Sequence, residues 1–196
     1  PGTIATLVAA LGRDADLVLC EGVMGLFDGA GPRAAGSTAD LAAMLGWPVV
    51  LVIDIARQAG SAAAVLRGFA AHRPGVQVAG VILNRCSGDR HAALASEAIA
   101  AEMPAVKRLG WLPRESAIAL PERHLGLVQA GEHPALEQFL AAAAAAVAKG
   151  IDVDALAALA APARPAARET ASSPPPLPPL GQRIAVASDV AFAFAY

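Results

Sequence analysis

The sequence predicts a doubly wound, mostly parallel α/β sheet, and two observations carry that prediction. Runs of Val, Ile and Leu at Asp16–Val23, Val49–Ile53, Val76–Leu83 and Val106–Leu112 are nearly continuous rather than alternating with polar residues. Strands buried on both faces read this way. Ala- and Leu-rich helical stretches near Thr3–Arg13, Thr38–Leu45, Ser61–His72 and Arg90–Glu102 separate the runs, which is the strand–helix alternation of a parallel sheet. The crossovers of such a sheet leave its functional loops at the carboxyl ends of the strands.

The elements follow in order. The chain starts at Pro1 inside a helical pattern and is read as a piece of something longer. Ser37 with Asp40 resembles a capping box at a helix start. A later helix runs from about Pro134 to Lys149, with proline in its first turn, lysine in its last and Gly150 as its C-cap. A shorter helix, Asp152–Leu159, comes next. Composition then changes: Pro162 to Pro179, with the run Pro174-Pro175-Pro176-Leu177-Pro178-Pro179, reads as an extended polyproline spacer. Beyond it Arg183–Ala187 reads as a new strand, soon followed by the end of the chain.

Composition narrows the function classes. Of 196 residues 56% are apolar and 16% charged, and Lys plus Arg number 15 against 17 Asp plus Glu. A net charge of −2 without a Lys/Arg block lacks the footprint of a nucleic-acid binder. Mean hydropathy is +0.50, yet the longest uncharged apolar stretch, Leu41 to Ile53, is too short for a bilayer and contains Gly46 and Pro48. The expectation is a soluble, alanine-rich globular chain with no membrane partner. Cys20 and Cys86 form no CxxC pair and supply too few ligands for a structural zinc site. Nothing calls for an oxidising compartment, so the cytoplasm is the expected location.

Chemistry concentrates at the ends of the runs. Asp16-Leu17-Val18-Leu19-Cys20-Glu21 leads from a buried strand, with Cys20 in its core, straight to a carboxylate and then a glycine-rich loop lasting to Gly36. A desolvated carboxylate needs a cation or a donor, and at this edge of an α/β sheet the usual cation is Mg²⁺ shared with nucleotide phosphates. Gly22, Gly25, Gly29 and Gly31 let backbone approach an anionic ligand, and Asp28 is a second carboxylate in the same crevice. A solvated Glu beside an ordinary loop explains the same residues. Asp54 with Arg57 fits either phosphate contact or a salt bridge and helix cap. Asn84 can pair with adenine N6 and N7 together or favour a turn. Trp111-Leu112-Pro113-Arg114 walls a base pocket or simply begins a loop. His72, His91, His124 and His133 have no metal-ligand spacing and are read as surface residues. The phosphate-binding GxxxxGK[ST] pattern is absent, as are Ser-His-Asp and HExxH sets. A nucleotide site would therefore have its phosphate loop upstream of Pro1.

Glu21-Gly22-Val23-Met24-Gly25-Leu26-Phe27-Asp28-Gly29, Gly36-Ser37-Thr38-Ala39-Asp40-Leu41-Ala42, Val50-Leu51-Val52-Ile53-Asp54, Gly80-Val81-Ile82-Leu83-Asn84-Arg85 and Gly110-Trp111-Leu112-Pro113-Arg114 occur in that order. Together they resemble the cobyrinate and hydrogenobyrinate a,c-diamide synthases of cobalamin biosynthesis over roughly residues 1–150. Ile184-Ala185-Val186-Ala187 with Phe192-Ala193-Phe194-Ala195-Tyr196 resembles the opening of that family's glutaminase domain. The resemblance implies a P-loop-related, dethiobiotin-synthetase-like domain over 1–161, a linker over 162–182 and the start of a glutamine amidotransferase domain over 183–196. It implies ATP and Mg²⁺ as cofactors, a corrin-ring substrate, glutamine or ammonia as nitrogen donor, and a homodimer. A side-chain carboxylate would be phosphorylated and the phosphate then displaced by ammonia.

On the same basis Glu21 is expected to be a Mg²⁺ ligand and, with Asp28, catalytic. Gly25 and Gly29 would lie by the substrate and phosphate, and Asn84, Arg85 and the backbone around Pro113 would hold the adenine. The phosphate-loop Lys and Thr and the glutaminase Cys and His are absent, so the chain alone is expected to be inactive. Cobyric acid synthase, a nickel-tetrapyrrole diamide synthase and, more remotely, a partition-type ATPase switch remain the alternatives.

Overall fold

The computed structural model describes residues 2–31, 35–120, 130–162, 181–187 and 189. In chain order the elements are α1 (Gly2–Leu11), α2 (Thr38–Leu45), β1 (Val49–Asp54), α3 (Ser61–His72), β2 (Val78–Cys86), α4 (Asp89–Glu102), β3 (Lys107–Pro113), α5 (Leu136–Gly150) and α6 (Val153–Ala157). The strands form one parallel sheet in the order β1-β2-β3. The expected parallel α/β fold is therefore present, with helices flanking the sheet.

Small residues at helical spacing bring the helices onto the strands. Ala62, Ala63 and Leu66 of α3 and Ala92, Ala95 and Ile99 of α4 are buried in one cluster with Ile53, Val81 and Leu83. Their three- and four-residue spacing puts them on single helix faces. Helix α2 repeats the pattern with Ala39, Ala42 and Leu45. On the sheet's other side Leu159, Leu109 and Val50 close around Gly80, where a Cβ would stand 2.8 Å from Leu159 Cδ1.

Helix α2 begins as the sequence predicts. Ser37 is its N-cap and its Oγ accepts from the Asp40 amide at 3.3 Å. The return bond shifts by one residue, because Asp40 Oδ2 accepts from Gly36 N at 2.7 Å. Arg73, just past α3, pairs with the other Asp40 oxygen at 2.6 Å. That bond, followed by the Gly36 amide, holds the Asp40 carboxyl below its ordinary pKa.

Helix α5 meets the sheet backbone to backbone. Gly110 of β3 has φ +132°, and a Cβ there would overlap the Gly150 carbonyl oxygen; a Cβ on Gly150 would overlap the Trp111 oxygen. An antiparallel bridge joins Gly110 to Ile151, and Asp152 N donates to Leu109 O at 2.8 Å. Gly150 is thus the last helical residue rather than the expected cap, and Ile151 caps the helix. The helix begins at Leu136, two residues after Pro134. Asp152 caps α6, its Oδ1 accepting from Ala155 N at 2.8 Å.

Two expected strands are not formed. The run 16–23 belongs to no strand, and Leu19 and Val23 are 82% and 94% exposed. Its Val/Leu content suits a strand interior, but a strand exists only in a ladder, and no described strand lies alongside it. Cys20 is exposed with it rather than in the core. Residues 183–187 are likewise exposed and unpaired in any sheet. The polyproline run, His124 and residues 192–196 lie outside the described residues.

Candidate functional site

The predicted site residues fall into two groups. The first lies on the carboxyl edge of the sheet. Asp54 at the end of β1 stands in register with Asn84 of β2, and Cys86 with Pro113 of β3. The strands thus carry Asn84-Arg85 and Pro113, the residues the resemblance assigns to adenine, to one edge together with Asp54, whose sequence reading left phosphate contact and a salt bridge with a cap both open.

Between Leu83 and Cys86 the register of β2 shifts. Arg85 takes φ +61°, a left-handed conformation unusual for a side-chain-bearing residue. Asn84 Oδ1 accepts from the Arg85 amide at 2.9 Å, which supports the kink. The kink aims Arg85 at β1, where its Nη1 lies 3.1 Å from Asp54 Oδ2. The other Asp54 oxygen accepts from Ala56 N at 2.8 Å. Asp54 therefore pairs with Arg85, not with Arg57, and caps the turn after its strand. An open cleft of about 430 Å³ is lined by Asp54, Ala56, Arg57, Gln58 and Arg85. With two guanidinium groups and one carboxylate on its walls, the cleft suits a polar, anionic ligand.

The second group is the glycine-rich loop, which packs on the N-terminus of α2. Gly22 lies against Thr38, where a Cβ would stand 2.7 Å from Oγ1, and Leu26 O accepts from Ala39 N at 2.9 Å. Leu26 is buried, and Phe27 stacks on Phe69 at 5.8 Å and tilts against His72 at 4.4 Å. Asp28 closes its own turn: Oδ2 accepts from Gly25 N at 2.9 Å, and Asp28 N donates to Gly25 O at 2.9 Å. Ala30 and Ala35 pair across the loop end. Glu21, Gly25 and Gly29 are exposed.

The structure does not bring these groups into one crevice. Phe27 contacts the last turns of α3, whereas Gln58 precedes its first turn; at 1.5 Å per residue the intervening helix separates them by roughly 15 Å. Among the described residues no group of three or more His, Cys, Asp or Glu is placed to hold a metal ion. A lone exposed Glu21 is still compatible with Mg²⁺, which keeps several waters and is commonly held by one or two carboxylates plus substrate phosphates.

Sequence reasoning missed His91 and Gln58. His91 is half-buried, and its ring reaches both Ser87 and Gln58. The available signal was the four-residue spacing from Ser87 to His91 across a helix start, which brings residues onto one face.

A parallel α/β sheet with a polar cleft at its carboxyl edge is the arrangement in which open α/β domains bind their ligands. The chain belongs to the AAA domain family, whose model matches residues 3–122. Among its curated relatives are three proteins named hydrogenobyrinate a,c-diamide synthase. That of Rhizobium meliloti (strain 1021) is 49% identical over 197 residues, covering 100% of this chain and 44% of that protein. That of Brucella anthropi is 52% identical over 182 residues, 93% of this chain and 41% of the relative. That of Mesorhizobium japonicum is 47% identical over 199 residues, 100% of this chain and 44% of the relative. The chain thus spans less than half the length of these relatives. The resemblance read from the motifs is borne out. No solved structure matches the chain significantly. Among the described residues no helix is long and apolar enough to cross a membrane.

Proposed function

We propose that this chain is the synthetase part of a glutamine-using, ATP- and Mg²⁺-dependent amidoligase that converts the a and c side-chain carboxylates of hydrogenobyrinic or cobyrinic acid to amides. The observation that carries this reading is identity near 50% along 93–100% of the chain to proteins bearing that synthase name. The cleft at the carboxyl edge supports it, because it offers guanidinium groups to an anionic nucleotide beside a backbone edge that can meet a base.

A carboxylate does not react with ammonia until one of its oxygens becomes a leaving group. In the proposed sequence a carboxylate oxygen attacks the γ-phosphorus, ADP leaves, and ammonia then displaces phosphate from the acyl carbon. Such a transfer needs mainly positioning and charge neutralisation. Asn84, Arg85 and the Pro113 backbone would hold the base, with the Asp54–Arg85 pair fixing the guanidinium. Asp28 would keep the Gly25–Asp28 turn closed, so that the Gly25 and Gly29 backbone faces the substrate. Glu21 would hold Mg²⁺, which neutralises phosphate charge when bound.

The test uses the full-length protein containing this chain with ATP, Mg²⁺ and hydrogenobyrinic acid, with glutamine and free ammonia as separate nitrogen donors and products read by mass spectrometry. Diamide from both donors is expected, with none from the chain alone. ATP hydrolysis without amidated tetrapyrrole would overturn the proposal and favour an ATPase switch. Amidation only of a later corrin intermediate or a nickel tetrapyrrole would move the assignment to a sister synthase.

A further inference from the structure

We infer that His91 is a positioning residue that sets the width of the carboxyl-edge cleft, tying its β1 wall to its β2 wall through one imidazole in a defined tautomer. His91 sits in the first turn of α4. Its Nδ1 accepts from the Ser87 amide at 3.2 Å and lies 3.0 Å from Ser87 Oγ. Its Nε2 lies 2.7 Å from the Gln58 carbonyl oxygen. Both ends of the bridge are backbone groups that act in one sense only, since an amide N–H donates and a carbonyl accepts. Nδ1 must therefore be bare and Nε2 must carry the hydrogen, so the geometry selects the neutral Nε2–H form.

The two loops joined in this way bound the cleft. Gln58 lines it from the segment after β1, and its own Nε2 donates to Asp54 O at 2.7 Å. Ser87 lies two residues beyond Arg85, which lines it from β2. Beyond the ladder bond from Ile55 N to Asn84 O, 3.0 Å long, two side-chain ties join these walls. One is the Asp54–Arg85 pair, whose side chains are each about half exposed (51% and 48%). Exposed pairs contribute little and are screened by salt. The other is His91, half-buried, neutral and bonded at both ring nitrogens. Of the two, the imidazole is the tie that ionic strength and a bound anion leave in place. An anion attracted to Arg85 competes with Asp54 for its guanidinium, but it has no purchase on the His91 bridge.

The inference rests on the reading of the cleft as the nucleotide site, and its test separates the two. In the full-length protein, His91→Ala is expected to raise KM for ATP about five- to tenfold, the loss of one to two neutral hydrogen bonds, with kcat changed less than about twofold. The longer His91→Gln can still donate to Gln58 O and is expected to recover most of the affinity. His91→Asn, whose reach ends near the Ser87 amide, is expected to behave like alanine. Unchanged KM in a folded His91→Ala protein, or equal behaviour of Gln and Asn, would overturn the inference. A second readout needs no turnover and covers an alanine variant that fails to fold. Long-range ¹H–¹⁵N NMR of the wild-type imidazole should show Nδ1 unprotonated and Nε2 protonated. A protonated Nδ1 would refute the bridge whatever the enzyme's substrate proves to be. If the bridge and tautomer are present but ATP does not bind, the nucleotide reading of the cleft fails instead.

Discussion

Replacing Gly110 with alanine tests the backbone-to-backbone contact that docks α5 on the sheet. Two costs combine. At φ +132° an L-residue is held in a region natural to glycine alone, at about 1–3 kcal/mol. The new Cβ would also overlap the Gly150 carbonyl and stand 3.0 Å from its carbon and 3.1 Å from Ile151 Cα. These are backbone atoms, which cannot turn aside as a flexible side chain does, so overpacking adds about 1–3 kcal/mol. The helix could escape only by breaking the Gly110–Ile151 bridge and the Asp152 N–Leu109 O bond. A total of about 2–6 kcal/mol is a large share of a domain's stability and lowers Tm by roughly 4–24 °C for a chain of this size. Thermal and urea unfolding followed by circular dichroism measures it. Gly150→Ala, which meets the Trp111 oxygen, should cost a comparable amount, and the double variant less than the sum, because both disrupt one contact. A Gly110→Ala protein melting within about 1 °C of wild type would refute the reasoning.

Gly68, inside α3 with nothing within 4 Å of a built Cβ, should gain about 0.5–1 kcal/mol on replacement by alanine in the same unfolding assay. A thiol reagent should modify exposed Cys20 quickly in the native chain and leave buried Cys86 intact until unfolding, read by mass spectrometry after timed labelling. Burial pushes the Cys86 thiol up to about 11 from 9.0. Because the unfolded thiol ionises first, the native state loses stability as pH rises between these values. Cys86→Val should remove that part of the alkaline decline. For Asp40 the sign is opposite: its lowered pKa gives stability that is present above 3.8 and lost as acid protonates the folded carboxyl. Asp40→Asn should accordingly flatten the acid limb of the stability profile.

Local rules made much of this fold legible. Helices α2 and α3 begin and end where the Ala/Leu period predicts, and Ser37 caps α2 as its spacing implies. Asp54, Asn84-Arg85 and Pro113 could be assigned to one edge because each terminates an apolar run in a parallel sheet. The failures are all non-local. The Val/Leu content of 16–23 says what a strand interior would accept, not which strand lies beside it. The same reasoning puts Cys20 in the core, whereas it is exposed with the run. The end of α5 could not be read from Gly150 alone, since the reason for glycine there is a carbonyl some forty residues earlier in the chain. His91 reads as a surface residue in sequence because one of its partners, Gln58, comes from a separate loop.

The left-handed Arg85 has a consequence for anyone engineering this domain. Its backbone would rest more easily as glycine, by about 1–2 kcal/mol, so a screen for thermostability alone should favour Arg85→Gly. The same change strips the cleft of the guanidinium that faces Asp54. Screening for robustness alone would therefore remove a charged group from the cleft wall, so a stabilised variant of this domain needs its cleft assayed separately.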